Sequence, residues 1–328
     1  MELKPVGEPI ENVLVFDNPM ASNPNASGRF ISKLDRLQDK NEFKLYVFDN
    51  PVKEISLSQT LKDFDINKTL IGVAGGDGTL HHFYNKLIDE GIGPVLTIIS
   101  GGGSNDTSAQ LHPYPWTRRD PKNHLDSPAP YHQPLMIEVR NGDYQKKIAA
   151  VSYFSIGLTS LLAKTYNSEA FRKSIEGKSP QLKRIFQGLE IPRHLANSEP
   201  FILSDQRGNR VLYDLIFPNG NRMAGGAVQF KGIDLLKPEY GRLEVKNLTV
   251  SSIVKNLGKT FLGLYHKYDQ NSKQEFMVRS LDDSDLIIQA DGEDYPIPSG
   301  SIIDIELGKK VIRLVSTRLI IPKEQIVA

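Results

Sequence analysis

The sequence contains no cysteine among its 328 residues. This absence excludes disulfide bonds, thiolate metal sites and a cysteine nucleophile. A strong net charge is missing as well, because 40 Lys and Arg residues oppose 39 Asp and Glu residues and leave a formal charge of +1 at pH 7. No overall field attracts the chain to nucleic acid, so we expect no nucleic-acid partner.

Long apolar runs are also missing. No segment approaches the roughly 18 apolar residues that a membrane-spanning helix requires. The first residues, Met1–Pro5, lack the apolar core of a signal peptide. We therefore expect a cytoplasmic protein that is at most peripheral to a membrane.

The most informative feature that is present is a glycine turn at residues 75–79, Gly-Gly-Asp-Gly-Thr. The apolar run Leu70–Ala74 before it predicts a buried strand, and apolar residues at helical spacing from Leu80 to Ile88 follow it. Strand, glycine turn and helix together are typical of a phosphate site, because glycine admits close backbone approach and helix-start N–H groups attract anions. Asp77 would repel phosphate directly, so we expect it beside a bound Mg²⁺. The alternative is a tight turn without a ligand.

Strand-like and helix-like segments alternate over the first 120 residues and predict a parallel sheet covered by helices on both faces. Such sheets bind ligands outside the carboxyl ends of their strands. Polar loops at Asn18, Gly75 and Gly101 leave predicted strand ends, and we expect them to form one crevice. A proline-rich stretch from about residue 110 then predicts a surface loop or linker.

Short β-like segments follow and predict a mostly antiparallel, sandwich-like second domain. We expect an α/β nucleotide-binding domain over residues 1–125, to which 311–328 returns, and a β-rich domain over 131–310. A helical stretch, Ser160–Leu189, interrupts the β-like segments. Seven Lys or Arg and three Glu lie between Lys164 and Arg193. This stretch is either a solvated helical pair or a face that meets anionic lipid headgroups.

The order of the motifs resembles the diacylglycerol kinase catalytic-domain family, which includes bacterial soluble lipid kinases and the sphingosine and ceramide kinases. The resemblance rests on an Asn-Pro loop at Asn18, the glycine turn at 75–79, a Gly-Ser-Asn-Asp loop at 103–106 and a late Asp-Gly-Glu at 291–293. It implies a fold like that of NAD kinases and diacylglycerol kinases. It also implies an ATP-dependent lipid kinase that transfers the γ-phosphoryl group to a hydroxyl of a diacylglycerol-like acceptor at the membrane surface.

The resemblance further implies the roles of individual residues. The family's aspartate at the position of Asp291 is the proposed base for the lipid hydroxyl, and Asp77 would link to Mg²⁺ directly or through water. Asn18 and Asn105 would line the ATP crevice, and Glu293 would orient nucleotide or metal. Asp77 and Asp291 are thus the catalytic candidates. The candidate site residues are Asn18, Gly75, Gly76, Asp77, Gly78, Thr79, Ser104, Asn105, Asp291 and Glu293.

The chain departs from the family pattern at several positions. His81 and His82 stand where Asn and Glu are common; they point about 100° apart on a helix, which excludes a metal pair, and we expect them to face solvent or the crevice. Tyr240 replaces an aspartate that helps bind a structural Mg²⁺ in some bacterial members, which argues against a second metal site. Ser104 would supply the hydroxyl of a missing threonine.

Three alternatives stay open at this point. An NAD kinase would share the glycine turn and the β-rich second domain, although its usual Asn-Glu pair is missing. A non-catalytic lipid- or nucleotide-binding relative is the second, and the presence of both Asp77 and Asp291 argues against it. A simple β-turn at Asp291-Gly292 is the third. The identity of the acceptor lipid, and the choice between monomer and homodimer, do not follow from the sequence.

Overall fold

The computed structural model describes residues 9–19, 21, 24–41, 43–49, 54–102, 105–175, 194–195, 198–223 and 228–319. Ser104 and most of the basic stretch beyond residue 175 lie outside the described residues. Within these ranges, no helix combines the length and apolar character needed to cross a bilayer.

Helices and strands alternate in the first part of the chain, and strands dominate afterwards. The α-helices of the described residues are α1 (Pro24–Asn41), α2 (Leu57–Leu61), α3 (Asp77–Asp89), α4 (Asp106–Leu111), α5 (Pro115–Arg118), α6 (Pro121–Leu125), α7 (Leu158–Asn167), α8 (Glu169–Ile175) and α9 (Val250–Leu262). The strands are β1 (Asn12–Asp17), β2 (Lys44–Phe48), β3 (Thr69–Gly75), β4 (Val95–Ser100), β5 (Tyr131–His132), β6 (Leu135–Asn141), β7 (Tyr144–Ala150), β8 (Tyr153–Gly157), β9 (Phe201–Asp205), β10 (Gly208–Leu212), β11 (Asp214–Pro218), β12 (Arg222–Met223), β13 (Val228–Gln229), β14 (Glu239–Val245), β15 (His266–Asp269), β16 (Gln274–Ser280), β17 (Leu286–Ala290), β18 (Glu293–Ile297), β19 (Ser301–Leu307) and β20 (Ile312–Leu314).

The first sheet has the strand order β2-β1-β3-β4-β20-β5. All neighbouring strands in it are parallel except β20 and β5. Every residue of β3 is buried, and alternate side chains of β3 enter two different cores: Ile71 and Val73 face one, whereas Leu70 and Ala74 face the other. A strand covered on both faces requires apolar residues on both sides, which explains the continuous apolar run.

The later strands form two six-stranded antiparallel sheets, β10-β9-β16-β19-β6-β7 and β15-β14-β11-β8-β17-β18. Side chains from both sheets make one core, in which the rings of Phe217 and Phe276 stack at 5.7 Å. The expected combination of a parallel sheet and an antiparallel second region is thus confirmed. β20 leaves this region and pairs in parallel with β4 of the first sheet; the domain boundaries themselves stay a prediction.

Several local predictions were wrong. The sequence of Val52–Phe64 favours one helix, but its described part contains only α2 as an α-helix; the sequence of Ala149–Ser155 favours one strand, but the strand breaks at Val151-Ser152. The proline-rich stretch contains α5 and α6, since Pro115 and Pro121 occupy first helical positions, where the missing N–H has no intrahelical partner. Helix α9 was not predicted.

Candidate active site

The glycine turn connects the end of β3 to the start of α3, with Gly76 as the N-cap residue. A Cβ at Gly75 would overlap the Thr79 side chain, so the tight turn requires glycine there. Asn18 Nδ2 donates to Thr79 Oγ1 at 2.8 Å, and the N–H of Gly101 donates to the Gly75 carbonyl at 2.9 Å. The three polar loops predicted to form a crevice therefore meet at the carboxyl end of the first sheet.

Asp77 uses its carboxylate to hold the next loop. Its Oδ2 accepts the N–H of Asp106 at 2.8 Å, and its Oδ1 accepts that of Thr107 at 3.1 Å. These bonds cap the start of α4. Burial raises the pKa of Asp77, and the charge of the neighbouring Asp106 adds to the rise. The two buried carboxylates create a negative site that a cation would stabilise.

Asp106 and Asn105 complete this part of the site. Asp106 is buried, and its Oδ1 lies 3.8 Å from Nε of Arg222 on β12. Asn105 closes its own loop, because its Nδ2 donates to the Gly102 carbonyl at 2.5 Å and its Oδ1 accepts the Gly102 N–H at 3.3 Å. Asn105 thus shapes the glycine loop. The contacts of Asp106 with Asp77 and Arg222 could not be predicted from the sequence.

Asp291 lies in the two-residue turn between β17 and β18. Its φ of 50° and the φ of 96° at Gly292 are both positive, as a tight hairpin turn requires. The β-turn alternative is therefore correct as a description of the backbone. The turn also aims the carboxylate inward, because only 2% of Asp291 is exposed.

The Asp291 carboxylate accepts four hydrogen bonds. The donors are the N–H groups of Val151 (2.7 Å), Ser152 (2.7 Å) and Tyr153 (3.2 Å) and Nδ1 of His81 (3.1 Å). The break between β7 and β8 aims three consecutive amides at one point. The four donors fix the position of the carboxylate between the two regions.

The prediction that both histidines face solvent or the crevice was wrong for His81, of which 1% is exposed. His81 Nδ1 lies 3.1 Å from Asp291 Oδ2, and its Nε2 lies 2.6 Å from the Tyr295 hydroxyl oxygen. His82 is partly exposed and its Nε2 lies 2.9 Å from Glu293 Oε2. Adjacent positions on α3 thus contact Asp291 and Glu293 of the hairpin.

Further bonds join the groups around the two aspartates. Thr107 Oγ1 and Ser152 Oγ lie 2.7 Å apart, which links the loop held by Asp77 to the amides that bind Asp291. The N–H of Asn219 donates to the Ser152 carbonyl at 2.7 Å, and Asn219 Nδ2 donates to the Val151 carbonyl at 2.9 Å. Asn219, a weaker sequence match, therefore fixes the position of the amides.

The residues fit a nucleotide-bound Mg²⁺ better than a metal held by protein alone. No group of three or more His, Asp or Glu within the described ranges is arranged to hold a metal ion. Mg²⁺ in phosphoryl-transfer sites is commonly bound by one or two carboxylates together with substrate phosphates, and the Asp77–Asp106 pair suits that role. Tyr240 is fully buried in the core between the antiparallel sheets, away from such a role.

Comparison with known families agrees with this geometry. The model of the diacylglycerol kinase catalytic domain matches residues 12–129, which include the glycine turn. The resemblance found in the sequence is thus confirmed over this segment, which contains the parallel-sheet region. No curated protein matches the chain.

Solved structures share the fold of the diacylglycerol kinase domain and of the second region. A diacylglycerol kinase from Bacillus anthracis has 17% identity and a TM-score of 0.61, and the match covers 94% of this chain and 97% of that one. A second structure from this organism, provisionally given the same assignment, has 17% identity and a TM-score of 0.63, and the match covers 95% of this chain and 99% of that one. Yeast NADH kinase complexed with NADH has 14% identity and a TM-score of 0.52, and the match covers 94% of this chain and 84% of that one. These similarities confirm the predicted fold class.

Proposed function

We propose that the chain is an ATP-dependent lipid kinase that transfers the γ-phosphoryl group to the hydroxyl of a diacylglycerol-like acceptor. The observation that carries the proposal is the contact between the kinase domain and the Asp-Gly-Glu hairpin. His81 and His82 on α3 bind Asp291 and Glu293, respectively, directly after the glycine turn. A candidate phosphate site and a candidate proton acceptor thus belong to one bonded cluster.

Each part of the cluster has a role in phosphoryl transfer. Backbone N–H groups of Gly75–Thr79 would hold the ATP phosphates, in a turn that Asn18 supports through Thr79. Mg²⁺, when bound beside Asp77, offsets the negative charge that develops on the transferred group. Asp291 would accept the proton of the lipid hydroxyl as the new O–P bond forms.

The proposal is tested with labelled ATP, Mg²⁺ and a panel of lipid alcohols in mixed micelles. We expect transfer of label to diacylglycerol in preference to sphingosine or ceramide. ATP binding without transfer to any lipid would contradict the proposal and favour the non-catalytic relative.

An NAD kinase activity is the second candidate, because yeast NADH kinase shares the fold. The same assay with NAD and NADH as acceptors separates the two. Phosphorylation of a dinucleotide in the absence of lipid would favour this candidate over the lipid kinase.

A lipid acceptor requires contact with a membrane surface, and we propose that this contact is peripheral. The described part of the basic stretch gives it limited support. Lys164 is exposed, but Lys173 Nζ lies 2.6 Å from Glu169 Oε1, one helical turn away. Such a pair is typical of a solvated helix.

A further inference from the structure

Helix α9 ends in an apolar tip that consists of Phe261, Leu262 and Leu264. The exposed fractions of these side chains are 67%, 59% and 64%. Three large apolar side chains exposed side by side are unusual on a monomeric protein, where contiguous apolar surface commonly marks an interaction site.

The helix ending explains why the tip stays exposed. Gly263 adopts a φ of 75°, and the N–H of Leu264 donates to the Lys259 carbonyl at 2.8 Å. Such endings usually pack the residue after the glycine against an apolar residue in the last turn. Here the positions that would receive Leu264 are Gly258 and Lys259, which offer no apolar side chain. Leu264 therefore projects outward together with Phe261.

The sequence around the apolar tip is rich in lysine, although the charge of Glu239 on β14 acts on the neighbouring Tyr265. Residues 245–268 contain four lysines and no Asp or Glu, although the chain as a whole is nearly neutral. Lys255 on the outer face of α9 and Lys267 on β15 are exposed. Exposed apolar side chains on a helix that also carries exposed lysines are typical of helices that lie in the interface of anionic membranes.

The apolar tip is also connected to the candidate active site. Arg222 on β12 lies 3.8 Å from Asp106, and β12 pairs with β13. Helix α9 packs on β13, and the N–H of Lys231 donates to the Thr260 carbonyl at 3.0 Å. Among the described residues, β12 and β13 thus connect α9 to the buried Asp106, and a membrane at the tip would lie on the side of the molecule that carries this connection.

We propose that the apolar tip of α9 inserts into the surface of anionic membranes while the surrounding lysines contact lipid phosphates. The proposal deepens the proposed lipid kinase function, because it assigns the surface at which the enzyme would meet its acceptor. It does not depend on catalysis, since insertion requires neither ATP nor a bound acceptor.

Vesicle flotation tests the proposal. Phe261→Ser combined with Leu264→Ser should lower the partition of the protein onto phosphatidylglycerol-containing vesicles about tenfold. The control is Leu281→Ser, because Leu281 is 57% exposed but is followed by Asp282 and Asp283. We expect this control to bind like the unmodified protein. Equal binding of the double variant and the control would overturn the proposal.

Two further measurements keep the test decisive if the double variant folds poorly. Lys255→Gln with Lys267→Gln should weaken binding to anionic vesicles and leave binding to phosphatidylcholine vesicles unchanged. Phe261→Trp in a Trp116→Phe background leaves one tryptophan, whose emission should shift to the blue when anionic vesicles are added. An unshifted emission would contradict insertion.

Other outcomes distinguish membrane insertion from a contact between copies of the chain and from the kinase proposal. If the apolar variant changes the molecular mass in sedimentation but not vesicle binding, the tip is a contact between copies and the proposal is wrong. Kinase activity on a water-soluble short-chain diacylglycerol, measured without vesicles, should be equal in all variants. If the unmodified protein lacks that activity but its apolar tip still inserts, the kinase proposal fails and the membrane surface stands.

Discussion

Two buried aspartates, one in the kinase domain and one in the β-rich region, differ in what balances their charge. Asp77 accepts two backbone N–H groups, and the strongest charge acting on it is that of another carboxylate, Asp106. Asp291 accepts three backbone N–H groups and the N–H of His81. The first carboxylate faces a like charge, whereas the second is bound by hydrogen-bond donors of the protein.

The difference suggests a division of labour in the proposed reaction. A buried carboxylate beside a like charge gains stability from a cation or a proton, and Asp77 is such a carboxylate. We infer that Asp77 serves the metal-nucleotide side and Asp291 the acceptor side. Variants at each site should therefore fail in different measurements.

The largest effect is expected from Asp291→Asn. An amide NH₂ would face the N–H donors of Val151 or Ser152, so at least one buried donor loses its acceptor, which costs about 1–3 kcal/mol of unfolding free energy. If Asp291 accepts the lipid proton, turnover of the folded variant also falls about 10²–10⁴-fold. Urea unfolding and turnover per folded molecule separate the two effects.

The matched control for this variant is Asp285→Asn, at an exposed position before the same hairpin. It should retain both stability and turnover. Unchanged turnover in the Asp291 variant on a verified lipid would place the base elsewhere, with Asp77 as the next candidate.

The second prediction concerns His132, which lies behind the Asp291 cluster. Its Nδ1 lies 2.8 Å from the Tyr84 hydroxyl, and burial lowers its pKa from 6.5 to about 4, although the charge of Asp291 opposes the shift. The stability that neutral His132 contributes is therefore complete above pH 6.5 and is lost as the pH falls through about 4. The loss is on the order of 3 kcal/mol.

Urea unfolding between about pH 7.5 and about pH 4 measures this loss as the difference between the unmodified protein and His132→Gln. The comparison removes opposing contributions, such as that of Asp214, whose pKa burial raises to about 7 and which gains stability as the pH falls. The unmodified protein should lose more stability than the variant. Parallel curves for the two proteins would show that His132 does not titrate as inferred.

The third prediction concerns the contribution of Asp77 to Mg²⁺ binding. Asp77→Asn keeps one oxygen to accept an N–H from the start of α4, leaves the other N–H facing the new NH₂ group at a cost of about 1–3 kcal/mol, and removes the charge that would hold Mg²⁺. Mg²⁺ should then lose its effect on nucleotide affinity, an effect we expect to be about tenfold in the unmodified protein. Calorimetric titrations with and without Mg²⁺ measure it.

Asp65→Asn is the matched control for this titration, because Asp65 also accepts a backbone N–H at a helix start but lies at the surface. It should leave the Mg²⁺ effect intact. A full Mg²⁺ effect in the Asp77 variant would remove Asp77 from the metal site.

Much of the kinase domain follows from the sequence because its signals are local. A continuous apolar run, three glycines and a helical repeat specify β3, the turn and α3 over twenty residues. The hairpin turn was likewise recognisable from Asp291-Gly292, since positive φ angles favour glycine and aspartate.

The bonded partners could not be predicted because they depend on long-range contacts. His81 and Asp291 are 210 positions apart, so a histidine on a helix carries no sign that it will be buried against a carboxylate. Every residue except proline has a backbone N–H, so the residue types at Val151–Tyr153 give no sign that these groups bind Asp291. The break between β7 and β8 aims them at Asp291. Helix α9 was missed although its signals are local: Thr249 caps its start by accepting the Ser252 N–H, and Gly263 ends it with a positive φ.

The smallest effect is expected where the two regions meet at the surface. His82 Nε2 and Glu293 Oε2 are 2.9 Å apart, and 26% and 28% of the two side chains are exposed. A Cβ at Gly78 would overlap the Glu293 carboxylate, so Glu293 lies directly on the glycine turn. Such a partly exposed pair contributes about 0–1 kcal/mol to stability. Its effect should therefore appear in nucleotide binding more than in folding.

Glu293→Gln keeps the size of the side chain and removes its charge. If Glu293 orients nucleotide or metal, affinity for Mg²⁺-ATP falls about threefold while the unfolding free energy changes by less than about 1 kcal/mol. A cycle with His82→Gln and the double variant, measured by calorimetry and urea unfolding, isolates the pair. If removing the charge instead tightens binding of Mg²⁺-free ATP, Glu293 repels the phosphates, and its carboxylate has no orienting role on the turn that it covers.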